Sequence, residues 1–341
     1  MEKLDLQTAI REGKLDQLPA ETLTRARLIE RNAAGNTPLH LAAKLGQLKA
    51  IPTGGFSGDL WALKNDAGYT PLHHAAIGGH LDQVPAEFLT ADTLSSRSNS
   101  GYTVFHLAAA HGHLDQVPVA LLTDEVVLRR TDIGNTLLHD AAENGTLNLI
   151  PERFLTADTL SVKNLGGETV LHVAAFNGHL DQTPTHCLTS ASLCEPTSSG
   201  DTVFHAAAIS GHLEQIPAEF LIQKHLVIAS RTGFTAIHAA AESGQLGKIP
   251  ATQLTAELLL ARNDNGDTPL HAAAFEGHLD QVPRDLLTAE RVLTRNYNGL
   301  TVIQTALDRG SWEQIPPEAR PRALNPLQRF LKKLGRSSLP F

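Results

Sequence analysis

A single spacing governs almost the whole of this chain. Counted from one row of histidines, the second following residue is alanine, the sixth is glycine and the twelfth is proline in every unit. One further step beyond the row at either end falls on Gln7 and Gln304. The row, with members 33 residues apart, comprises His40, His73, His106, His139, His172, His205, His238 and His271. Because the period has no insertion, it predicts one continuous array of stacked units.

The first half of each unit carries the signals of a short helix. In "GDTPLHAAAFEG" (266–277) a turn glycine precedes Thr268, which is a favourable N-cap residue. Pro269 follows at the first helical position, where its missing N–H costs nothing. Gly277 is suited to the left-handed residue that ends a helix. Paired small alanines on this helix allow neighbouring units to approach closely.

The motif T-P-L-H-x-A-A-x-x-G-H-L within a 33-residue unit resembles the ankyrin repeat, over about residues 4–316. The resemblance implies an all-α, ankyrin-like α-solenoid of about ten stacked helix-turn-helix repeats. It implies β-turn fingers between repeats, such as "NDAGYT" (65–70) and "NDNGDT" (263–268). We expect the solenoid to occupy 1–317, with 1–32 as an N-terminal cap repeat, 33–296 as eight full repeats and 297–317 as a C-terminal partial repeat.

The second half of each unit departs from the family pattern, because a proline stands where the second helix should continue. Ten interior prolines would cost roughly 30 kcal/mol, more than the stability of most domains, about 5–15 kcal/mol. We therefore expect the second helix to be broken. "LDQV" (81–84) is interpreted as a connector, "PAEFL" (85–89) as a short helix that starts at the proline, and "TADTL" (90–94) as a Thr-capped turn.

The same pattern predicts which residues cap and which pack. Thr90, Thr156, Thr255 and Thr288 are the expected N-caps. Asp92, Asp158, Glu257 and Glu290 follow early in the turn, where the helix dipole favours acids. The leucines expected in the core are Leu89, Leu94, Leu155, Leu160, Leu221 and Leu226.

The C-terminal segment differs from the body in charge. Residues 318–341 carry a net charge of +5, so the rest of the chain carries −13 of the overall −8. Within this basic tail, "NPLQRFLKKLG" (325–335) has one apolar stripe at helical spacing. Two interpretations remain open: a short amphipathic capping helix on the last repeat, or a detachable basic helix that recruits the chain to an acidic partner or an anionic membrane.

Composition excludes several other classes of protein. The acidic body argues against nucleic acid as a ligand, since phosphate binding needs clustered cations. Two cysteines, Cys187 and Cys194, are too few for a disulfide framework and fit a reducing compartment. No run of residues has the length of a membrane span or of a signal-peptide core. We expect a soluble, monomeric, cytoplasmic protein, with membrane contact only through the tail; a secreted effector acting inside a host cell remains an alternative.

No arrangement of residues indicates catalysis or a metal site. The row histidines are expected to bond backbone or threonine groups of the fingers, because a single row cannot bring several ligands to one zinc ion. "TGGFSG" (53–58) lacks the Lys-Ser/Thr of a phosphate-binding loop and is interpreted as a repeat defect. Asp140 and Glu143 are interpreted as ordinary solvated helix positions. We therefore expect no enzyme, no cofactor and no metal.

The resemblance implies a protein-protein interaction scaffold whose contacts come from finger tips and the exposed side of the first helices. These positions vary while the scaffold residues do not. They hold Tyr69, His74, Ile77, Tyr102, His111, Asp140, Glu168, Phe176, Asp201, Ile209, Phe234, Asp267 and Phe275. We expect a partner of basic or mixed charge on this concave face. A second interpretation is that Phe176, Ile209 and Phe275 merely pack between repeats.

Overall fold

The computed structural model describes residues 6–19, 22–51 and 58–320, which form two compact units divided between Leu165 and Gly166. Regular structure in these residues is helical, apart from two isolated antiparallel bridges, Ala229 with Thr235 and Arg295 with Thr301. The expectation of an all-α fold is confirmed. No helix in the three described ranges is long and apolar enough to cross a bilayer.

Each repeat contributes one α-helix of six to eight residues, here called the first helix. In the first unit these are α1 (Leu6–Arg11), α3 (Pro38–Lys44), α5 (Pro71–Gly78), α7 (Val104–Ala110) and α9 (Leu137–Asn144). In the second unit they are α11 (Val170–Asn177), α13 (Val203–Ser210), α15 (Ala236–Glu242), α17 (Pro269–Glu276) and α19 (Val302–Arg309). Between them lie helices of four residues: α2 (Arg25–Leu28), α4 (Gly58–Trp61), α6 (Ala91–Leu94), α8 (Asp124–Val127), α10 (Ala157–Leu160), α12 (Ser190–Leu193), α14 (Gln223–Leu226), α16 (Ala256–Leu259) and α18 (Ala289–Val292).

The first helices form the packed centre of each unit. In the first unit α1, α3, α5, α7 and α9 pack in chain order, and in the second unit α11, α13, α15, α17 and α19 do the same. The paired alanines are fully buried between them; Ala75 and Ala76 of α5 are both 0% exposed. Small side chains at these positions let adjacent backbones approach, so each unit is a stack of first helices.

The second half of each repeat is divided as the prolines predict, with two differences. "LDQ" is a 3-10 turn (Leu81–Gln83) and not an irregular connector. Pro85 is extended, with φ −55° and ψ 133°, so the next turn (Ala86–Phe88) begins after the proline and not at it. An extended proline satisfies its fixed φ without placing its ring against a preceding helical carbonyl. Thr90 then caps α6, where it accepts a hydrogen bond from the Thr93 N–H.

Most of the expected core of this half is confirmed. Leu94 and Leu226 are 0% exposed, and Leu155, Leu160 and Leu221 are at most 6% exposed. Leu89 is the exception, because it is only partly buried. Equivalent 3-10 turns follow six other prolines of this row, at Val119–Leu121, Glu152–Phe154, Thr185–Cys187, Ala218–Phe220, Arg284–Leu286 and Pro317–Ala319.

The fingers are tight turns that connect one repeat to the next. In the finger at 65–69 the Asn65 N–H donates to the Tyr69 carbonyl at 2.8 Å, and Gly68 closes the turn with φ 80°. Only glycine adopts this left-handed conformation without strain. Adjacent fingers also bond to each other, since the Asp66 N–H donates to the Ala34 carbonyl of the preceding finger at 3.2 Å. The fingers therefore form a continuous edge along each unit.

The amphipathic helix predicted for 325–335 lies outside the described residues, as do "TGGFS" (53–57) and most of the basic tail. The division into a solenoid (1–317) and a basic tail (318–341) therefore stays a proposal.

Candidate protein-binding surface

The histidine row fastens neighbouring repeats to each other. His73 Nδ1 accepts from the Thr70 N–H at 3.0 Å and lies 2.8 Å from Thr70 Oγ1. Because Nδ1 accepts, Nε2 carries the proton, and it donates to the Tyr102 carbonyl of the next repeat at 3.2 Å. His40 bonds Tyr69 in the same way. Burial lowers the pKa of His73 to about 4, so the ring is neutral at physiological pH.

This arrangement confirms the structural interpretation of the row. In the second unit the same bond is made by His172, His205, His238 and His271, to the carbonyls of Asp201, Phe234, Asp267 and Leu300. No group of three or more His, Cys, Asp or Glu side chains arranged for a metal occurs in residues 6–19, 22–51 and 58–320. In the last repeat Gln304 replaces the histidine and keeps the cap, since its Oε1 accepts from the Thr301 N–H at 2.9 Å.

The glutamines of the 3-10 turns form a second fastening, which sequence reasoning missed. Gln116 donates to the Gly79 carbonyl and accepts from the Leu81 N–H, both at 2.9 Å and both in the preceding repeat. Gln215 and Gln314 make the same pair of bonds in the second unit. The sequence contained a signal for this role, because glutamine recurs at this place in most repeats.

A row of basic side chains beside the fingers forms a third fastening. Lys64 Nζ donates to the Arg97 carbonyl at 2.8 Å, and Arg97 Nη1 donates to the Arg130 carbonyl at 2.9 Å, each 33 residues further on. Arg262 bonds the Arg295 carbonyl at 2.7 Å in the second unit. Arg31 and Arg130 act likewise on the carbonyls of Lys64 and Lys163. These side chains look like a positive stripe in the sequence, but they are engaged with the backbone.

In the first unit, several of the predicted surface residues lie close together. Tyr69, His74, Ile77 and Tyr102 are partly buried, and His111 is exposed. The ring of His74 lies 5.3 Å from that of His40, edge to face, and 6.1 Å from that of Tyr69. Burial, with help from the charges of His40 and Lys44, lowers the pKa of His74 to about 3. The pKa of His111 is also lowered, mainly by burial. The His74 ring is therefore neutral at physiological pH.

Asp140 differs from the sequence interpretation. It was expected to be an ordinary solvated position on α9, but it is buried, with 2% of its surface exposed. Burial raises the pKa of its carboxyl to about 7, and the charge of Glu143 adds to the shift, while a hydrogen bond from Asn135 opposes it. The interpretation as solvated was wrong for Asp140 and right for Glu143, which is exposed.

In the second unit the predicted residues are more exposed and more apolar. Phe176, Ile209 and Phe275 occupy the same position of their first helices and are 51%, 50% and 45% exposed. They therefore do not simply pack between repeats. Arg309 places its guanidinium over the Phe275 ring, 3.5 Å from the centroid. Glu242 has the same position in α15, and burial together with the charge of Glu276 raises its pKa.

The finger residues of this unit contribute polar groups. Glu168 is exposed, whereas Asp201, Phe234 and Asp267 are partly buried. Asp267 Oδ1 accepts from Asn296 Nδ2 at 2.7 Å, and Asp201 accepts a hydrogen bond from the Ser199 hydroxyl. The Phe234 ring lies 5.3 Å from that of His238. Acids and exposed apolar groups thus alternate along this surface.

Comparison with known families agrees with this architecture. Residues 57–126 match a family of three consecutive ankyrin repeats, and residues 265–293 match a single ankyrin repeat. A search of curated proteins gave no match. Ankyrin repeats generally mediate protein-protein interactions, and proteins built from them are generally non-enzymatic scaffolds. The two matched regions show that the chain contains ankyrin repeats, and the stacked first helices and the fingers agree with this finding.

Proposed function

We propose that the chain is a non-enzymatic scaffold whose protein partner docks on the surface formed by fingers and first helices. The observation that carries this proposal is the exposure of Phe176, Ile209 and Phe275, each about half exposed at one repeated position. Large apolar side chains exposed together are characteristic of protein-binding surfaces. Scaffold positions keep their residues along the chain, while these positions change, which is the pattern of a surface adapted to one partner.

Charge supports a partner of basic or mixed character. The chain without its basic tail has a net charge of −13. In the second unit, Glu242 and Glu276 repel each other beside the exposed apolar residues, and a cationic group of a partner would relieve this repulsion. Tyr69 and Tyr102 in the first unit, and Phe234 in the second, add aromatic anchors at the fingers.

The test is affinity capture with the full chain from its native source, followed by measurement of the dissociation constant for the captured protein. One variant replaces Phe176, Ile209 and Phe275 with alanine. A matched control replaces Val119, Leu149 and Leu293, which are 62%, 50% and 46% exposed but lie in the second halves of their repeats. We expect the first variant to weaken binding by tenfold or more, about 1.4 kcal/mol, and the control to bind like the natural chain.

Circular dichroism of both variants separates loss of binding from loss of folding. Equal binding by the first variant and the natural chain would reject the proposed surface. Replacement of Tyr69, Tyr102 and Phe234 with alanine then asks whether the fingers take part, and a folded variant with unchanged affinity would remove them from the proposal.

We also propose that the protein works inside cells. The chain has only two cysteines, Cys187 and Cys194, which are too few for a disulfide framework and fit a reducing compartment. Fluorescence microscopy of a tagged chain in its native source tests this proposal, and extracellular recovery of the full chain would contradict it.

A further inference from the structure

The first helices of the second unit place an acid on either side of one exposed aromatic ring. Glu242 of α15 and Asp308 of α19 occupy the position that Phe275 occupies on α17, and α17 packs against both of these helices. Equivalent residues on packed neighbouring helices lie about 8–10 Å apart. Phe275 is 45% exposed although Arg309 lies over its ring, and both acids are exposed. An apolar contact point therefore lies between two carboxylates.

A third carboxylate lies beside this ring. Glu276 directly follows Phe275 and is exposed, and burial together with the charge of Glu276 raises the pKa of Glu242. Within the described residues, neither Glu242 nor Glu276 forms an ion pair with a lysine or arginine. The surface formed by Glu242, Phe275, Glu276 and Asp308, here called the α17 surface, is therefore apolar at its centre and negative around it.

The segment that follows the described residues has the complementary composition. Residues 321–341 contain five cationic residues and no acid. Within 325–335 an apolar stripe at helical spacing is accompanied by three of these cations; the stripe is Leu327, Phe330, Leu331 and Leu334, and the cations are Arg329, Lys332 and Lys333. At the position of Phe275 the first unit instead begins with Arg11 and Lys44, which repel a basic segment. Charge complementarity therefore favours the α17 surface.

The chain after Arg320 is long enough to make this contact. Arg320 is held in the last repeat, where its Nε donates to the Ile315 carbonyl at 2.8 Å. Residues 321–324 span at most about 14 Å when extended, and a helix over 325–335 is about 16 Å long. Together these lengths equal about three helix spacings of 8–10 Å. A helix of this length reaches α19, α17 and α15, whereas α11 lies beyond its reach.

We propose that the basic segment 325–335 binds the α17 surface of its own chain. Its apolar stripe covers Phe275, and its cations lie against Glu242 and Glu276. Because the segment and the surface belong to one chain, the connecting residues give the segment an effective concentration on the order of millimolar. The segment covers part of the surface formed by fingers and first helices, so it competes with the proposed partner and weakens its binding.

Zero-length cross-linking tests this contact in the natural full chain, without a partner. A water-soluble carbodiimide joins a lysine amine to a carboxylate only where the two groups are in contact, and peptide mass spectrometry identifies the joined residues. We expect Lys332 or Lys333 to be joined to Glu242 or Glu276, with a yield that does not change when the protein is diluted tenfold. The yield should fall at least threefold in 1 M salt, where the Debye length is about 3 Å.

The remaining outcomes of this experiment overturn the proposal. Cross-links from the two lysines only to Glu313 or Glu318 of the last repeat would mean that the segment caps the array. Cross-links whose yield falls on dilution would mean that the segment binds a second copy of the chain. The absence of any cross-link to Glu242 or Glu276 would contradict the contact itself.

A peptide with the sequence 325–335 provides a second measurement. In a full chain with Arg329→Glu, Lys332→Glu and Lys333→Glu the α17 surface is vacated, so we expect the peptide to bind this variant at least tenfold more tightly than the natural chain. Further addition of Phe275→Ala should weaken that binding, whereas Phe176→Ala, on α11, is the matched control and should not. Equal affinity for the natural chain and the charge variant would show that the surface is not occupied.

The consequence for partner binding rests on the proposed function, and the two can fail separately. If the cross-links to Glu242 or Glu276 form but no partner is captured, the intramolecular contact stands and the scaffold proposal falls. If a captured partner requires the exposed apolar residues while Lys332 and Lys333 are joined only to acids of the last repeat, the scaffold proposal stands and this inference falls.

Discussion

The two halves of each repeat are held in place by different means. The first half is a capped helix that packs on the first helices of its neighbours and is fastened to the next repeat by a buried histidine. The second half consists of a 3-10 turn without a side-chain cap, a second short turn that follows the proline, and a four-residue helix. In the described residues these four-residue helices pack on first helices more than on each other. The first helices and the histidine row therefore supply much of the contact between repeats, and the glutamines of the 3-10 turns add to it from the second half.

Acidification should give the largest effect, because it acts on the first half of many repeats together. Burial lowers the pKa of His40, His73 and His106 to about 4, against about 6.5 when unfolded. The folded chain therefore binds fewer protons than the unfolded chain between these values. The contribution of these histidines to the free energy of unfolding has its full value above pH 6.5. It decreases as the pH falls towards 4, by about 1 kcal/mol per pH unit for each histidine.

Urea titrations at several pH values, followed by circular dichroism, measure this loss. Asp140 acts in the opposite direction, since its raised pKa favours the folded state as the pH falls, but it is one group against several histidines. His73→Gln should retain the cap, as Gln304 does in the last repeat. It should also make the free energy of unfolding less dependent on pH, by the contribution of one histidine. A stability that does not change between pH 6.5 and 4 would contradict the neutral, buried state of the row.

Removal of a single capping side chain compares the two halves directly. His73→Ala loses a bond to the next repeat as well as buried volume, and we expect a loss of about 3 kcal/mol. Thr90→Ala loses only an exposed N-cap, and we expect about 1 kcal/mol. Urea unfolding followed by the fluorescence of Trp61, in the same unit, measures both. Equal losses would mean that the second half is coupled between repeats as strongly as the first.

The junction between the halves should show an intermediate effect. Gly79 ends α5 with φ 73°, and a Cβ atom there would lie 2.7 Å from the ring of His113 in the next repeat. Gly79→Ala therefore combines backbone strain with a steric clash, and we expect a loss of about 2 kcal/mol. In a double-mutant cycle, addition of His113→Ala should restore part of this loss. Strictly additive losses would show that the ring moves aside without cost.

Replacement of a proline should give the smallest effect. Pro85 is extended, and its main contribution is a restricted unfolded chain, so Pro85→Ala should cost less than about 1 kcal/mol. Pro118→Ala provides a matched variant in the next repeat. We expect no gain of helix by circular dichroism, because Thr90 and the neighbouring turns still end each segment. A gain in helical signal equal to a continuous second helix would show that the proline alone divides it.

Much of this architecture could be predicted from sequence because its determinants are local. Thr90 as a cap, the turn glycines and the break at Pro85 follow from backbone preferences within a few residues. The fastenings made by Gln116 and Lys64 could not be predicted as readily, because their partners lie about 33 residues away and are main-chain groups that leave no mark in the sequence.

The surface was harder to predict than the scaffold. The exposure of Phe176 and Phe275 was anticipated from the position of these residues in the repeat. Phe275 also contacts Arg309 of the next repeat, so its role as a partner contact stays a proposal. The burial of Asp140 was not anticipated, because it depends on what neighbouring repeats place against α9 and not on the residue itself. A polar residue at a position that is apolar in other repeats is the signal that could have identified it.

The chemistry of the fastenings has a consequence for how such a chain can grow. His73, Gln116 and Lys64 each reach a carbonyl of an adjacent repeat, and every amino acid supplies a carbonyl. A newly duplicated repeat therefore finds a compatible neighbour on either side without any matching substitution there. Duplication, loss or exchange of whole repeats then leaves these bonds intact, so the length of the array can change in steps of 33 residues while its outer side chains diverge.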